Sequence, residues 1–209
     1  MARFRDQFRQ PHGRIGRFAG YLMAAANAGM NRFTVQLMEV QPDDRILEIG
    51  FGPGNLIRRL AEGTSCATVA GVDPSDVMLA QASKRNAAAI DDGRVQLQTG
   101  TISSLPYPDA GFTKVCSVNT IYFWPDPASD LREVHRVLQP GGRCYLTFRV
   151  KHRAGRRPTV RVTRDGIADE PVAQTVAALR AAGFTGIRSK MRRFLFVTAM
   201  CLVAEKRAP

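Results

Sequence analysis

From Arg45 to Val150 short apolar runs alternate with helical stretches, and this alternation admits few folds. Strands are predicted at Arg45–Ile49, Ala67–Val72, Arg94–Thr99, Phe112–Val118 and Arg143–Val150. Helices are predicted between them, at Asn55–Ala61, at Pro74–Ile90, and at Ala128–Leu138, where "PGG" ends the run. Strands alternating with helices over such distances form a parallel sheet covered on both faces, an α/β fold. Further on, Pro171–Ala182 reads as a helix and is followed by two strand-like runs, Phe184–Ser189 and Phe194–Ala204. Too few residues separate those runs for a crossover helix, so they are expected to pair antiparallel. Ahead of the alternation, residues 1–18 form a polar, basic arm. Leu22, Ala26, Met30, Phe33, Leu37 and Val40 then mark one helix face, which "QPDD" at Gln41–Asp44 breaks. The chain thus divides into residues 1–40, an arm and helix expected to act as a lid, and a main domain over residues 41–209.

The first strand runs into "ILEIGFGPGN", with Gly50, Gly52 and Gly54 at alternate positions. In an open parallel sheet, ligands bind beyond the carboxyl ends of the strands, and glycine lets a ligand approach the backbone closely. A dinucleotide turn would read G-x-G-x-x-G with amides free for a pyrophosphate, whereas here the third glycine comes one position early and Pro53 has no N–H. No Gly-Lys-Ser/Thr follows, so a phosphate loop is excluded as well. Glu48 at the mouth of the turn would repel phosphate and suits an amine. Asp73 closes the second strand 25 positions later, where an acid can accept the hydroxyls of a ribose. An amine, a ribose and close backbone approach without phosphate describe S-adenosylmethionine.

Four stretches occur in order at fitting intervals: "ILEIGFGPGN", "GVDPSDVML", "LPYPDAGF" and "LREVHRVLQPGG". Through them the chain resembles the class I S-adenosylmethionine-dependent methyltransferases, in particular the small bacterial type related to ubiquinone/menaquinone-biosynthesis methyltransferases. The resemblance covers residues 41–150 strongly and the tail in arrangement only. It implies a Rossmann-like, doubly wound, seven-stranded sheet, mostly parallel with an antiparallel last strand and helices on both faces. By resemblance, Glu48, Gly50 and Gly52 line the methionine part of the cofactor and Gly54 shapes the turn. Asp73 takes the ribose hydroxyls, Pro74 and Met78 pack near the adenine, and Asn119 stands close to the reacting methyl. Related proteins usually carry "GDA" after the third strand, where this chain has "GTI" at Gly100–Ile102. Thr101, followed by Ile102, therefore offers the adenine a neutral hydroxyl, and neutral hydrogen bonds are weaker than those to a carboxylate. Thr113 likewise replaces an aspartate common in the fourth strand.

The expected chemistry is in-line methyl transfer to a small molecule, in which alignment supplies much of the rate. "VNTIYFWPDP" supplies the near wall, where Tyr122 or Trp124 can face a cation or pack as core aromatics. The stretch Asn119–Tyr122 lacks both prolines of N-P-P-Y, so N-methylation by that route is not expected. Among the histidines, His135 sits in a helix, His152 in a basic segment, and His12 on an arm able to reach the pocket as a base. Asn27 and Asn31 interrupt the apolar first helix and either line the pocket or sit on its wet face. No His/Asp/Glu or cysteine constellation suggests a metal. The four cysteines read as reduced, buried thiols, which fits the cytoplasm.

A formal net charge of +12 is carried largely by arginine clusters in residues 1–38, 149–164 and 188–193. Such fields attract anions. The basic arm with Phe4, Phe8 and Phe18 leaves open peripheral contact with an anionic membrane and methylation of a lipid or quinone there. Nucleic acid is a weaker alternative, since no RNA-binding module is recognisable. A cofactor-binding protein without catalysis is another.

Overall fold

The computed structural model describes residues 27–150, 162–163, 166–167, 170–194 and 198–208. Its centre is β1 (Arg45–Ile49), which pairs in parallel with β2 (Thr68–Asp73) on one side and β4 (Phe112–Val118) on the other. Ile46 to Ile49 are all buried, because both faces of the sheet are covered and no solvent side remains to be marked by alternation. With β3 (Val95–Thr99), β5 (Leu138–Val150), β8 (Phe184–Arg193) and β9 (Thr198–Lys206), the sheet has seven strands in the order β3-β2-β1-β4-β5-β9-β8. β9 runs antiparallel to both its neighbours, as the sequence predicts for the two closing runs. A small ribbon, β6 (Val162–Thr163) with β7 (Gly166–Ile167), stands apart. The strand order reverses at β1 and β4, which opens a crevice above their carboxyl ends.

Two apolar layers sandwich the sheet. One contains Leu47, Ile49, Val115 and Leu146 with helices α5 (Pro127–Val137) and α6 (Glu170–Ala181). The other contains Ile46, Val69, Cys116 and Tyr145 with α1 (27–38), α2 (Asn55–Gly63) and α3 (Asp76–Arg85). All four cysteines are buried and free. Met30, Phe33 and Met38 drive α1 into the second layer, and the Thr34 hydroxyl meets that of Thr147 on β5 at 2.7 Å. The expected start of this helix near Leu22 lies outside the described residues.

Several boundaries differ from expectation. β8 runs on past Ser189 to Arg193, and β9 begins at Thr198 rather than Phe194 and ends at Lys206 rather than Ala204. The helix predicted over Pro74–Ile90 begins at Asp76, capped by Ser75, and breaks after Arg85 into a short α4 (Ala87–Asp91). Asn86 makes the break: its side-chain amide donates to Ala82 O (2.8 Å) and to Gly54 O (3.2 Å), tying the helix end to the glycine turn. The fifth strand begins at Leu138 rather than Arg143. Leu138 pairs with Phe112 and Arg143 with Lys114, so "PGG" lies in an excursion inside the strand, with Gly141 at φ +79°. Helix α5 therefore passes directly into β5, because Leu138 is already extended.

At the opposite end of the sheet, the Lys114 ammonium bonds the Asp44 carboxylate. The Thr113 hydroxyl donates to Asp44 Oδ1 (2.6 Å) and accepts from Arg45 N–H (3.1 Å). Thr113 is thus a strand-joining residue remote from the crevice.

Candidate active site

The crevice is a cavity lined from the ends of β1, β2 and β4, the loop after β3 and the start of α1. The turn after β1 has three left-handed glycines, Gly50 (φ +73°), Gly52 (φ +53°) and Gly54 (φ +77°). A Cβ at Gly50 would sit 2.5 Å from Thr120 Cγ2, so glycine is needed there for packing as well as for φ. A Cβ at Gly52 would meet nothing within 4 Å, so this backbone is bare toward the cavity. Gly54 does not line the cavity; it backs the turn against Ala82 and Asn86.

Asp73 ends β2 and ties the turn together. Its Oδ2 accepts from Gly52 N–H (2.9 Å) and its Oδ1 from Ser75 N–H (3.0 Å). The burial of Asp73 raises its carboxyl above the usual range, and these two backbone donors counter that only in part. Glu48 is 3% exposed. Burial, and then the charge of Asp73, hold its carboxyl well above the ordinary carboxylate value, opposed by the Ile57 N–H. Its Oε2 is buried with no hydrogen-bond partner. A carboxylate so placed is costly unless a cation meets it. The pair of acids, the bare turn and the orphaned oxygen fit an ammonium-bearing nucleoside and disfavour a phosphate.

Of the remaining residues singled out in sequence, Pro74, Met78, Thr101, Ile102, Asn119 and Trp124 line the same cavity. The loop with Thr101 and Ile102 is held on α5: the Ser103 hydroxyl donates to Asp130 Oδ1 (2.7 Å), and Leu105 N–H donates to Glu133 Oε2 (3.0 Å). Tyr122 lies elsewhere. It is 54% exposed, donates its hydroxyl to Arg149 O (2.8 Å) and stands edge-on to Phe148, because the short 3-10 turn Ile121–Phe123 swings it away from the crevice. His12 lies outside the described residues. Asn27 and Asn31 both line the cavity. Val118, Thr120, Phe123 and Pro125 line it as well, within the stretch expected to supply the near wall, and the close Gly50–Thr120 approach follows from a glycine directly opposite the end of β4.

Residues 47–146 match the family model described as a methyltransferase domain. The chain is 31% identical to the uncharacterized methyltransferase YdaC of Bacillus subtilis, over 91% of this chain and 98% of that protein. It is also 31% identical to the ubiquinone/menaquinone biosynthesis C-methyltransferase UbiE of Geotalea daltonii, over 55% of this chain and 49% of that one. A phosphoethanolamine N-methyltransferase of Haemonchus contortus, solved with S-adenosyl-L-methionine, shares the fold with a TM-score of 0.67 at 18% identity, over 86% of this chain and 52% of that one. The chain thus spans nearly all of YdaC and about half of the other two. With its strand order, its glycine turn and a relative matched from end to end, the chain belongs to the class I S-adenosylmethionine-dependent methyltransferases.

Proposed function

We propose that the cavity above β1 and β4 holds S-adenosylmethionine and directs its methyl group to a small molecule. The observation that carries this assignment is the buried Glu48 carboxylate with its unpartnered Oε2 beside the glycine turn. Glu48 takes the ammonium of the methionine part, and Gly50 and Gly52 leave room for its chain. Asp73 keeps lone pairs for the ribose hydroxyls while its backbone bonds hold the turn. Pro74, Met78, Thr101 and Ile102 enclose the base, and Asn119 borders the reacting end. When bound, the cofactor supplies a methyl on a positively charged sulfur. The chain's part is to orient the two reactants and to exclude water, with α1 as the covering element.

Titration calorimetry with S-adenosylhomocysteine tests this. Glu48→Gln should weaken binding about tenfold or more, the size of one hydrogen bond to a charged group. Equal affinity in wild type and variant would overturn the assignment.

A second reading, methylation at a membrane surface, has one observation in its favour. The three exposed large apolar residues among those described, Tyr122, Phe123 and Met191, stand at the cavity end of the sheet with Arg192 and Arg193. Cationic and amphipathic groups together suit an anionic bilayer surface. No helix among the described residues is long and apolar enough to cross a membrane. Co-sedimentation with phosphatidylglycerol vesicles at low salt, lost at high salt and absent with phosphatidylcholine, is the expected result; no sedimentation at low salt rules this reading out.

A further inference from the structure

β8 closes one side of the sheet. It pairs with β9 and with no other strand among the described residues, so the N–H and C=O groups of its outer edge have no backbone partner there. The pairing shifts register between Thr185 and Arg188 and is regular from Arg188 to Arg193. Arg188, Lys190 and Arg192 stand opposite Val203, Cys201 and Ala199, on the face of the sheet that carries α1. The Arg192 guanidinium donates to Gln36 Oε1 on α1 (2.6 Å). Met191, between them in sequence, stands opposite Met200 on the other face and is exposed. Arg188, Lys190 and Arg192 are all exposed, and no ion pair among the described residues engages them. Glu205, further along β9, is met by Arg143 at 3.5 Å.

Successive cations in this row are about 6.7 Å apart, two residues of strand. The row excludes a second copy of β8, because antiparallel self-pairing would set cation against cation. It accepts an extended chain with carboxylates at every second position. We propose that the outer edge of β8 takes an acidic, extended segment of a partner protein as an added strand. The main chain of that segment completes the open ladder. Its alternate Asp or Glu side chains meet Arg188, Lys190 and Arg192, and the residues between them are apolar where they pass Met191. The row runs down the strand from the cavity end of the sheet, so a bilayer laid across that end would reach only its last residues. A single-stranded nucleic acid would match the charge but draws on stacking platforms. The exposed aromatics among the described residues, Tyr122 and Phe123, lie in the turn after β4 rather than on this face. The docking edge is independent of the cofactor assignment.

Fluorescence anisotropy with two labelled peptides of one composition tests this. One alternates glutamate and valine; the other carries the same residues in adjacent pairs, so its carboxylates cannot share a face. At low salt the alternating peptide should bind about tenfold more tightly, the combined effect of three charged cross-strand pairs. Its binding should weaken with added salt and should slow amide exchange along β8. Lys190→Glu should remove the preference, with S-adenosylhomocysteine binding as in wild type to show that the fold is kept. Failure of the alternating peptide to bind, equal binding of the two peptides, unchanged exchange in β8 or an unaltered preference in Lys190→Glu overturns the proposal. So does tighter binding of a single-stranded oligonucleotide or of phosphatidylglycerol vesicles that Lys190→Glu abolishes, which would assign the row to nucleic acid or to a membrane.

Discussion

The backbone N–H of Gly52 donates to Oδ2 of Asp73 at 2.9 Å, so the acid that closes β2 also holds the turn that follows β1. Structure and binding are joined in one side chain. Asp73→Ala should lose S-adenosylhomocysteine binding by tenfold or more and also lower stability by about 1–3 kcal/mol, since two backbone donors are left unpaired. Asp73→Asn retains an oxygen for one of those donors and should recover part of the stability but little of the affinity. Calorimetry alongside urea denaturation separates the two effects.

Glu48 gives the free protein a particular pH response. Its folded carboxyl holds a proton to higher pH than the unfolded chain, whose value lies near 4.5. The stability this confers is complete below that value and is lost as pH rises through the raised folded value. Glu48→Gln, which cannot ionise, should therefore gain thermal stability over wild type at pH 8 and differ little at pH 4. Melting curves across that range test it, and parallel curves for the two proteins would contradict it.

Filling the site with an ammonium should take that proton off. Across a pH series, binding of S-adenosylhomocysteine is then expected to release more protons in wild type than in Glu48→Gln wherever the raised Glu48 carboxyl still holds its proton. Calorimetry in buffers of different ionisation enthalpy reads the number directly; identical proton release in both proteins would assign it to another group.

Asp44, at the other end of the sheet, titrates in the opposite sense. Burial pushes its carboxyl up, but bonds from Gln41 N–H, Lys114 and Thr113 outweigh burial and hold it below the ordinary 3.8. Its contribution is present above 3.8 and is lost as pH falls through the lower folded value. Breaking the pair by Lys114→Ala should cost about 3–5 kcal/mol, because a buried carboxylate loses its cation. Chemical denaturation at pH 7 measures this, with S-adenosylhomocysteine affinity unaffected where the protein remains folded.

Gly50 and Gly52 should respond differently to alanine. Gly50→Ala meets Thr120 at 2.5 Å as well as an unfavourable φ, and should destabilise by about 3 kcal/mol or more. Gly52→Ala meets no atom within 4 Å and should cost only the backbone term, about 1 kcal/mol. Its methyl projects toward the cavity, so the larger loss should be in cofactor-analogue binding. Denaturation midpoints and calorimetry together distinguish these cases.

Much of this architecture was legible because it is written locally. The run from Ile46 to Ile49 and the alternation that follows need only a sheet with two covered faces, and the glycine turn carries its own chemistry. The break at Asn86 was not legible, since it depends on a bond to Gly54 O from a different part of the chain. The early start of β5 depends on how Leu138 meets Phe112 across the sheet. Tyr122 and Trp124 read alike as aromatics after β4, yet a short 3-10 turn sends Tyr122 outward and leaves Trp124 8% exposed at the cavity. The Asn27–Asn119 contact joins residues 92 positions apart, and nothing in either neighbourhood announces it.

The placement of β9 has a consequence for how the chain is made. β9 is threaded between β5 and β8, and among the described strands it is the only one hydrogen-bonded to β8. On the ribosome β8 emerges first and must wait, with its backbone donors open, for a neighbour that has yet to be synthesised. That side of the sheet can be completed only after Lys206 has emerged, so nascent chains that stall earlier should be substrates for chaperones that mask unpaired strand edges.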